Sequence, residues 1–205
     1  MKKKSLSIKL MIQMALLVSV GTLLMYIQIP YPGAPFLKID ISDVPVLIAG
    51  FALGPWVGFV VLILKNLLFA VIKYSPEEII GLPMNTLATT IMVLVSAYTY
   101  KRKKTWGNAL LALIAGVLSS ILVMIPLNFL ILPWFFKTFL PVIKVENSAQ
   151  LLKLILLIVV PFNLFKGLVN GAITFITYKK VASFIRPTSE VEISELSKKN
   201  AEAKS

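Results

Sequence analysis

Apolar runs recur along the chain at about 8–29, 44–53, 55–72, 84–100, 107–132 and 151–178, separated by proline, glycine or charge. A run of ~20 apolar residues spans hydrocarbon as a helix, so the pattern predicts an all-α membrane protein with six transmembrane helices. The second run is too short to cross alone and ends at Gly54-Pro55, which predicts a broken or partly inserted helix. Irregular backbone at membrane depth is tolerated only inside protein or along a cavity, so residues 43–55 point to a cavity nearby. The basic residues Lys2, Lys3 and Lys4 followed by an apolar run resemble a secretory signal. Residues 10–29 are longer than such a signal's apolar stretch, however, and no small-x-small site follows within 30–35, so this run is read as the first membrane helix. Residues 1–187 are read as one six-helix membrane domain. The polar, mixed-charge stretch 188–205 is expected to be a disordered cytoplasmic tail.

Composition sharpens this picture. Of 205 residues, 58% are hydrophobic and 15% charged, against roughly 25% charged in soluble domains. There is no cysteine and no histidine, which removes disulfides, thiolate metal sites and the commonest acid/base group. The net charge of +12 does not read as a nucleic-acid surface, because the lysines and arginines gather at the ends of apolar runs. One set of ends carries Lys2, Lys3, Lys4, Lys9, Lys101, Arg102, Lys103, Lys104, Lys179, Lys180 and Arg186. The opposite set holds Lys38, Lys73, Lys137, Lys144 and Lys153, roughly offset by Asp40, Asp43, Glu77, Glu78 and Glu146. The first set is expected to be cytoplasmic by the positive-inside rule, which places both termini there. The proline-bearing connections 30–43, 73–83 and 133–150 then lie outside, and a site opening outward is expected.

Polar residues inside apolar runs are the candidates for chemistry. Asn163, Lys166 and Asn170 share one helix face in the last run, and a central lysine costs about 3 kcal/mol to insert, so this face should meet a cavity or a partner. Interhelical hydrogen bonding is the plainer alternative. Asn128 lies in the fifth run beside the ring-bearing stretch Phe129, Trp134, Phe135 and Phe136, part of which also fits an interfacial aromatic belt. These amides, the ammonium and nearby rings suit a planar, uncharged, polyhydroxylated heterocycle; an anion would ask for an arginine cluster or a glycine-rich cradle. Lys65 and Asn66 form a second polar pair, either in the pocket or bonded to a loop carbonyl, Asp40 or Asp43. Asp43, just before Val44-Pro45, reads as a helix N-cap. Gly167 and Gly171 form a GxxxG pair read as close helix packing. The acidic residues all fall in loops or the tail, so intramembrane carboxylates are not expected. Catalytic templates and the P-loop motif are missing from the sequence, so uphill transport would draw energy from another protein or an ion gradient.

Three blocks, PFLKIDISDVPVLIAGFALGP at 35–55, LKNLLF at 64–69 and PFNLFKGLVN at 161–170, resemble the riboflavin-specific S components of energy-coupling factor (ECF) transporters. The resemblance runs in order along nearly the whole chain. It implies six helices with an external lid after the first, and a binding subunit, not an enzyme, that captures riboflavin as transported ligand with no cofactor. It implies ligand contact by Asn128, Asn163, Lys166 and Asn85, with Phe36, Leu37, Lys38 and Ile39 closing above. That family often carries Gly-Glu shortly before the asparagine, where this chain has Gly81-Leu82. Ala15 and Ser19, a small-xxx-small pair on the first helix, would dock a transmembrane coupling subunit, with two ATPase subunits completing the transporter. The implied setting is the cell membrane and its lipid bilayer, with no nucleic acid involved. An S component for another vitamin, or a proton-coupled secondary transporter using Lys166 or Lys65 as relay, are the alternatives.

Overall fold

The computed structural model describes residues 8–73, 78–139, 145 and 147–185. The tail at 188–205 lies outside the described residues. The chain runs through α1 (Ile8–Tyr26), a hairpin of β1 (Ile29–Tyr31) and β2 (Ala34–Ile39), then α2 (Asp43–Ala52), α3 (Pro55–Ile72), α4 (Glu78–Arg102) and α5 (Trp106–Phe139). It ends in α6 (Ser148–Leu154), a π turn (Ile155–Val159) and α7 (Val160–Ile185). Among the described residues, five helical stretches are long and apolar enough to cross a membrane, the last being the continuous run Ser148–Val181. The sixth, α2, has 10 residues and is about 15 Å long.

α2 is able to sit at membrane depth because protein surrounds it. It packs against α1, α3, α4 and α7, and every residue from Asp43 to Phe51 is buried. Val46, Leu47 and Ala49 of α2 join Val61 and Leu62 of α3, Val93 of α4 and Ala109 and Ala112 of α5 in the core. The outer surface, by contrast, exposes Leu16, Leu23, Leu67, Val71, Leu122, Leu130 and Ile176, as a lipid-facing surface would.

Glycine permits the closest helix contacts. A Cβ on Gly58 would lie 2.8 Å from Gly50 Cα, so α2 meets α3 backbone-close, and one on Gly167 would lie 2.9 Å from Val117 Cγ1, so the α7 backbone seats the Val117 side chain of α5. The GxxxG pair is therefore a packing device through Gly167.

The fold corrects the sequence reading in three places. The connection after the first helix contains an antiparallel hairpin, with Ile29 opposite Ile39 and Pro30 opposite Lys38. Two-stranded pairing tolerates its prolines because each strand has an unpaired edge. α4 begins before Pro83 and α5 runs through Pro126 and Pro133, so both outlast the predicted segments. Beyond Pro133, Phe135 and Phe136 are buried against α6 and the π turn, and that packing offsets the missing backbone bonds.

Candidate functional site

At the helix ends away from Lys101 and Arg102 lies a pocket of about 910 Å³, mouth included. Its wall takes Met25 from the end of α1 and Gln28 just beyond it, Phe36, Leu37 and Lys38 from β2, and Glu78, Leu82, Met84 and Asn85 from the start of α4. Met124, Asn128, Leu132 and Phe135 come from α5, and Val159, Phe162, Asn163 and Lys166 from the last helical run. The basic ends, with Lys101 and Arg102 closing α4, lie at the opposite pole.

One wall is apolar by construction. Phe36 of the hairpin meets Phe136 edge-on at 5.5 Å and Phe135 at 6.1 Å, and the cluster Leu132, Phe135, Phe136, Leu151, Ile155 and Val159 backs them. These contacts seat the hairpin against α5. The π turn shapes the same wall: Pro161 has no N–H, and the Val160 N–H reaches back five residues to Ile155 O. The extra residue in that turn brings Val159, Phe162 and Asn163 onto the pocket side.

The floor of the pocket is polar. Asn128 Nδ2 donates to Met124 O at 2.7 Å and Asn163 Nδ2 to Val159 O at 2.8 Å. Each amide thereby spends one N–H on its own helix, and neither side-chain carbonyl has a partner among the described residues. Lys166 Nζ donates to Asp40 Oδ2 at 3.0 Å and to Asn85 Oδ1 at 2.8 Å. Asn85 Nδ2 is buried with no partner among the described residues. An orphan donor beside free acceptors is costly unless something else bonds them, about 1–3 kcal/mol for a neutral group. At the mouth, Lys38 of β2 pairs with Glu78 of α4 at 2.9 Å, a second tie between hairpin and helix.

Beneath the pocket lies a smaller polar chamber lined by Asp43, Thr89, Ser120 and Asn170, with Asn85, Asn163 and Lys166 forming the shared floor. Asn170 Nδ2 donates to Asp40 O and to Lys166 O, so it braces the floor from below. Lys65 is fully buried, and its Nζ donates to Asp43 Oδ1 and Ser42 Oγ, both at 2.8 Å. Thr89 Oγ1 donates to the other Asp43 oxygen at 3.0 Å. Asn66 Nδ2 donates to Thr86 Oγ1 at 2.7 Å.

The sequence-predicted residues thus separate. Asn128, Asn163, Lys166, Asn85, Phe36, Leu37 and Lys38 converge on one pocket. Ile39 does not line it and is instead paired with Ile29 in the hairpin. Lys65 is structural, tied to Asp43. Asp43 is not the N-cap: Ser42 precedes the helix, and Asp43 opens it as a buried counter-ion. Asp40 and Asp43, 4% and 3% exposed, are acids inside the membrane domain, against the expectation that carboxylates stay in solvated loops. Asp40 lies between β2 and α2. Burial alone would push its carboxyl up, but the Lys166 and Lys65 ammoniums and the Ser42 hydroxyl hold it below the ordinary carboxylate value. Asp40 and Glu78 were missed as site residues. Ala15 and Ser19 are exposed on α1, away from the pocket.

The comparisons with known proteins agree with this architecture. The family model described as "ECF transporter, substrate-specific component" matches residues 9–178. The riboflavin transporter FmnP of Bacillus subtilis (strain 168) is 28% identical over 190 residues, covering 92% of this chain and 100% of its own. The riboflavin transporter RibU of Staphylococcus aureus (strain TCH60) is 31% identical over 181 residues, covering 87% and 93%. Among solved structures, one described as the S component of a bacterial ECF transporter superposes with a TM-score of 0.71 at 28% identity, over 87% of this chain and 98% of that one. ThiT from Listeria monocytogenes shares the fold, with a TM-score of 0.60 at 16% identity over 87% and 97%. A transport component of this kind is a binding protein rather than an enzyme. With five membrane-crossing helical stretches, this multi-pass chain belongs to the substrate-specific components of ECF transporters.

Proposed function

We propose that this chain captures riboflavin from outside the cell and hands it on within an ECF transporter. The observation that carries the reading is the pocket floor, where the orphan donor Asn85 Nδ2 shares one cavity with Asn128, Asn163, the Lys166 ammonium and phenylalanine side chains. A flavin presents complementary features, with ring carbonyls and an imide edge for the amides, a flat ring for the phenylalanines and a hydroxylated chain for the remaining polar groups. The riboflavin names borne by the Bacillus and Staphylococcus relatives support the same ligand.

The pocket opens at the pole away from the Lys- and Arg-rich ends, which fits a cytoplasmic location for both termini. Energy is proposed to come from two ATPase subunits through a transmembrane coupling subunit, which docks on the exposed Ala15 and Ser19 of α1. The hairpin, seated by Phe36 and the Lys38–Glu78 pair, acts as the lid.

The test is purification from flavin-containing cells followed by an absorption spectrum, then riboflavin titration of the stripped protein by fluorescence quenching. Flavin bands and stoichiometric quenching are expected. A colourless protein that quenches nothing would refute the reading.

A further inference from the structure

Among the described residues, four charged side chains line the pocket, Lys38, Asp40, Glu78 and Lys166, and the structure pairs them two by two. The pairs differ in kind. Lys38 and Glu78 stand at the mouth, where the lysine side chain is 28% exposed and solvent screens the charge. Lys166 and Asp40 are buried together at the floor, where a net charge would be felt throughout the cavity. Asp40 is additionally anchored, with its other oxygen accepting from the Ser42 backbone N–H and hydroxyl. This leaves Oδ2 facing the ammonium.

We propose that Asp40 is a positioning and specificity-determining residue: by neutralising Lys166 in place, it makes the pocket electrically indifferent and so sets the preference for an uncharged flavin over a phosphorylated one. Lys166 touches the ligand, whereas Asp40 acts through it, fixing both its orientation toward Asn85 and its net charge. The inference rests on the riboflavin reading above. Without Asp40 the same ammonium becomes an uncompensated buried cation, and a ligand carrying a phosphate of nearly two negative charges gains relative to its neutral parent. Without Lys166 the pocket loses its facing cation while Asp40 keeps its charge, and the phosphorylated ligand loses. A purely structural role for Asp40 would weaken both ligands alike.

The experiment titrates detergent-purified protein with riboflavin and with flavin mononucleotide, taking the ratio of the two affinities for each variant. Asp40→Asn should shift the ratio toward the mononucleotide by about tenfold or more, and Lys166→Gln should shift it about as far the other way. Asp40→Glu should keep the ratio of the unmodified protein, and the double variant Asp40→Asn/Lys166→Gln should return to it at weaker overall affinity. If Asp40→Asn does not fold, Lys166→Gln and the double variant carry the same test. A ratio that stays constant across the folded variants, or moves in one direction for both single variants, overturns the role of Asp40. Absence of riboflavin binding by the unmodified protein overturns the proposed function as well as this inference.

Discussion

Lys65→Met removes the ammonium of the most deeply buried ion pair while keeping most of the side chain's volume. In the intact protein that ammonium bonds Asp43 Oδ1 and Ser42 Oγ, and the lysine stem packs against Gly21 of α1, where a Cβ would approach Lys65 Cδ to 2.9 Å. The variant keeps that packing but leaves Asp43 as a buried carboxylate with the Thr89 hydroxyl as its remaining side-chain donor among the described residues. Breaking one side of a buried pair typically costs about 3–5 kcal/mol, because the remaining charge is uncompensated. For a chain of this size that amounts to a fall in melting temperature of about 6–20 °C. The double variant Asp43→Asn/Lys65→Met removes both charges and should regain most of the loss, since replacing a whole pair is often close to neutral. The assay is thermal unfolding of detergent-purified protein followed by size-exclusion chromatography. Lys65 does not line the pocket, so the folded fraction should still bind riboflavin. A single variant that melts as wild type, or a double variant worse than Lys65→Met, would refute the assignment of Lys65 as a structural counter-ion.

Asn163→Ala and Asn128→Ala should each weaken riboflavin binding about tenfold to a hundredfold by titration, as expected when a buried polar partner is lost; wild-type affinity in both would remove the amide floor from the site. Tryptophan in place of Ala15 and Ser19 should abolish uptake in cells expressing the full transporter while leaving binding by the isolated subunit intact, and joint loss of both would place that face in the core. Reporters fused at the N- and C-termini should both report a cytoplasmic location, and an external C-terminus would overturn the orientation.

The membrane helices were legible because a lipid-facing helix must be apolar along its whole length, as Leu16, Leu67, Leu122 and Ile176 are. The floor was legible for the same reason: Asn163 and Lys166 stand out against an apolar run. The hairpin was not, since the residues of its two strands and turn include Pro30, Pro32 and Pro35, which ordinarily argue against strand pairing. Asp40 and Asp43 were hidden differently. Each sits in or beside a connection, where an acid is normally solvated, and only the tertiary fold carries that connection between α3 and α7. A signal did exist. Two lysines within apolar runs require two counter-ions, and the quoted block at 35–55 holds two acids three residues apart. For Lys65, Asp40 and Asp43 were already among the candidate partners; reading Lys166 as the same demand would have found Asp40.

The π turn sets a condition on chain length that composition does not reveal. Each residue in an α-helix advances the direction of its side chain by about 100°, so the extra residue accommodated at Ile155–Val159 acts as a rotational offset for everything after it. Deleting one residue within that turn would let the run close as regular α-helix while keeping its hydropathy and length almost unchanged. Yet if α6 kept its seat against α5, Asn163, Lys166 and Asn170 would swing about a quarter turn, away from Asp40 and the floor. Substitutions at Leu156 and Leu157, which are exposed, should be tolerated where a deletion at either is not. In this stretch, phase matters more than side-chain identity.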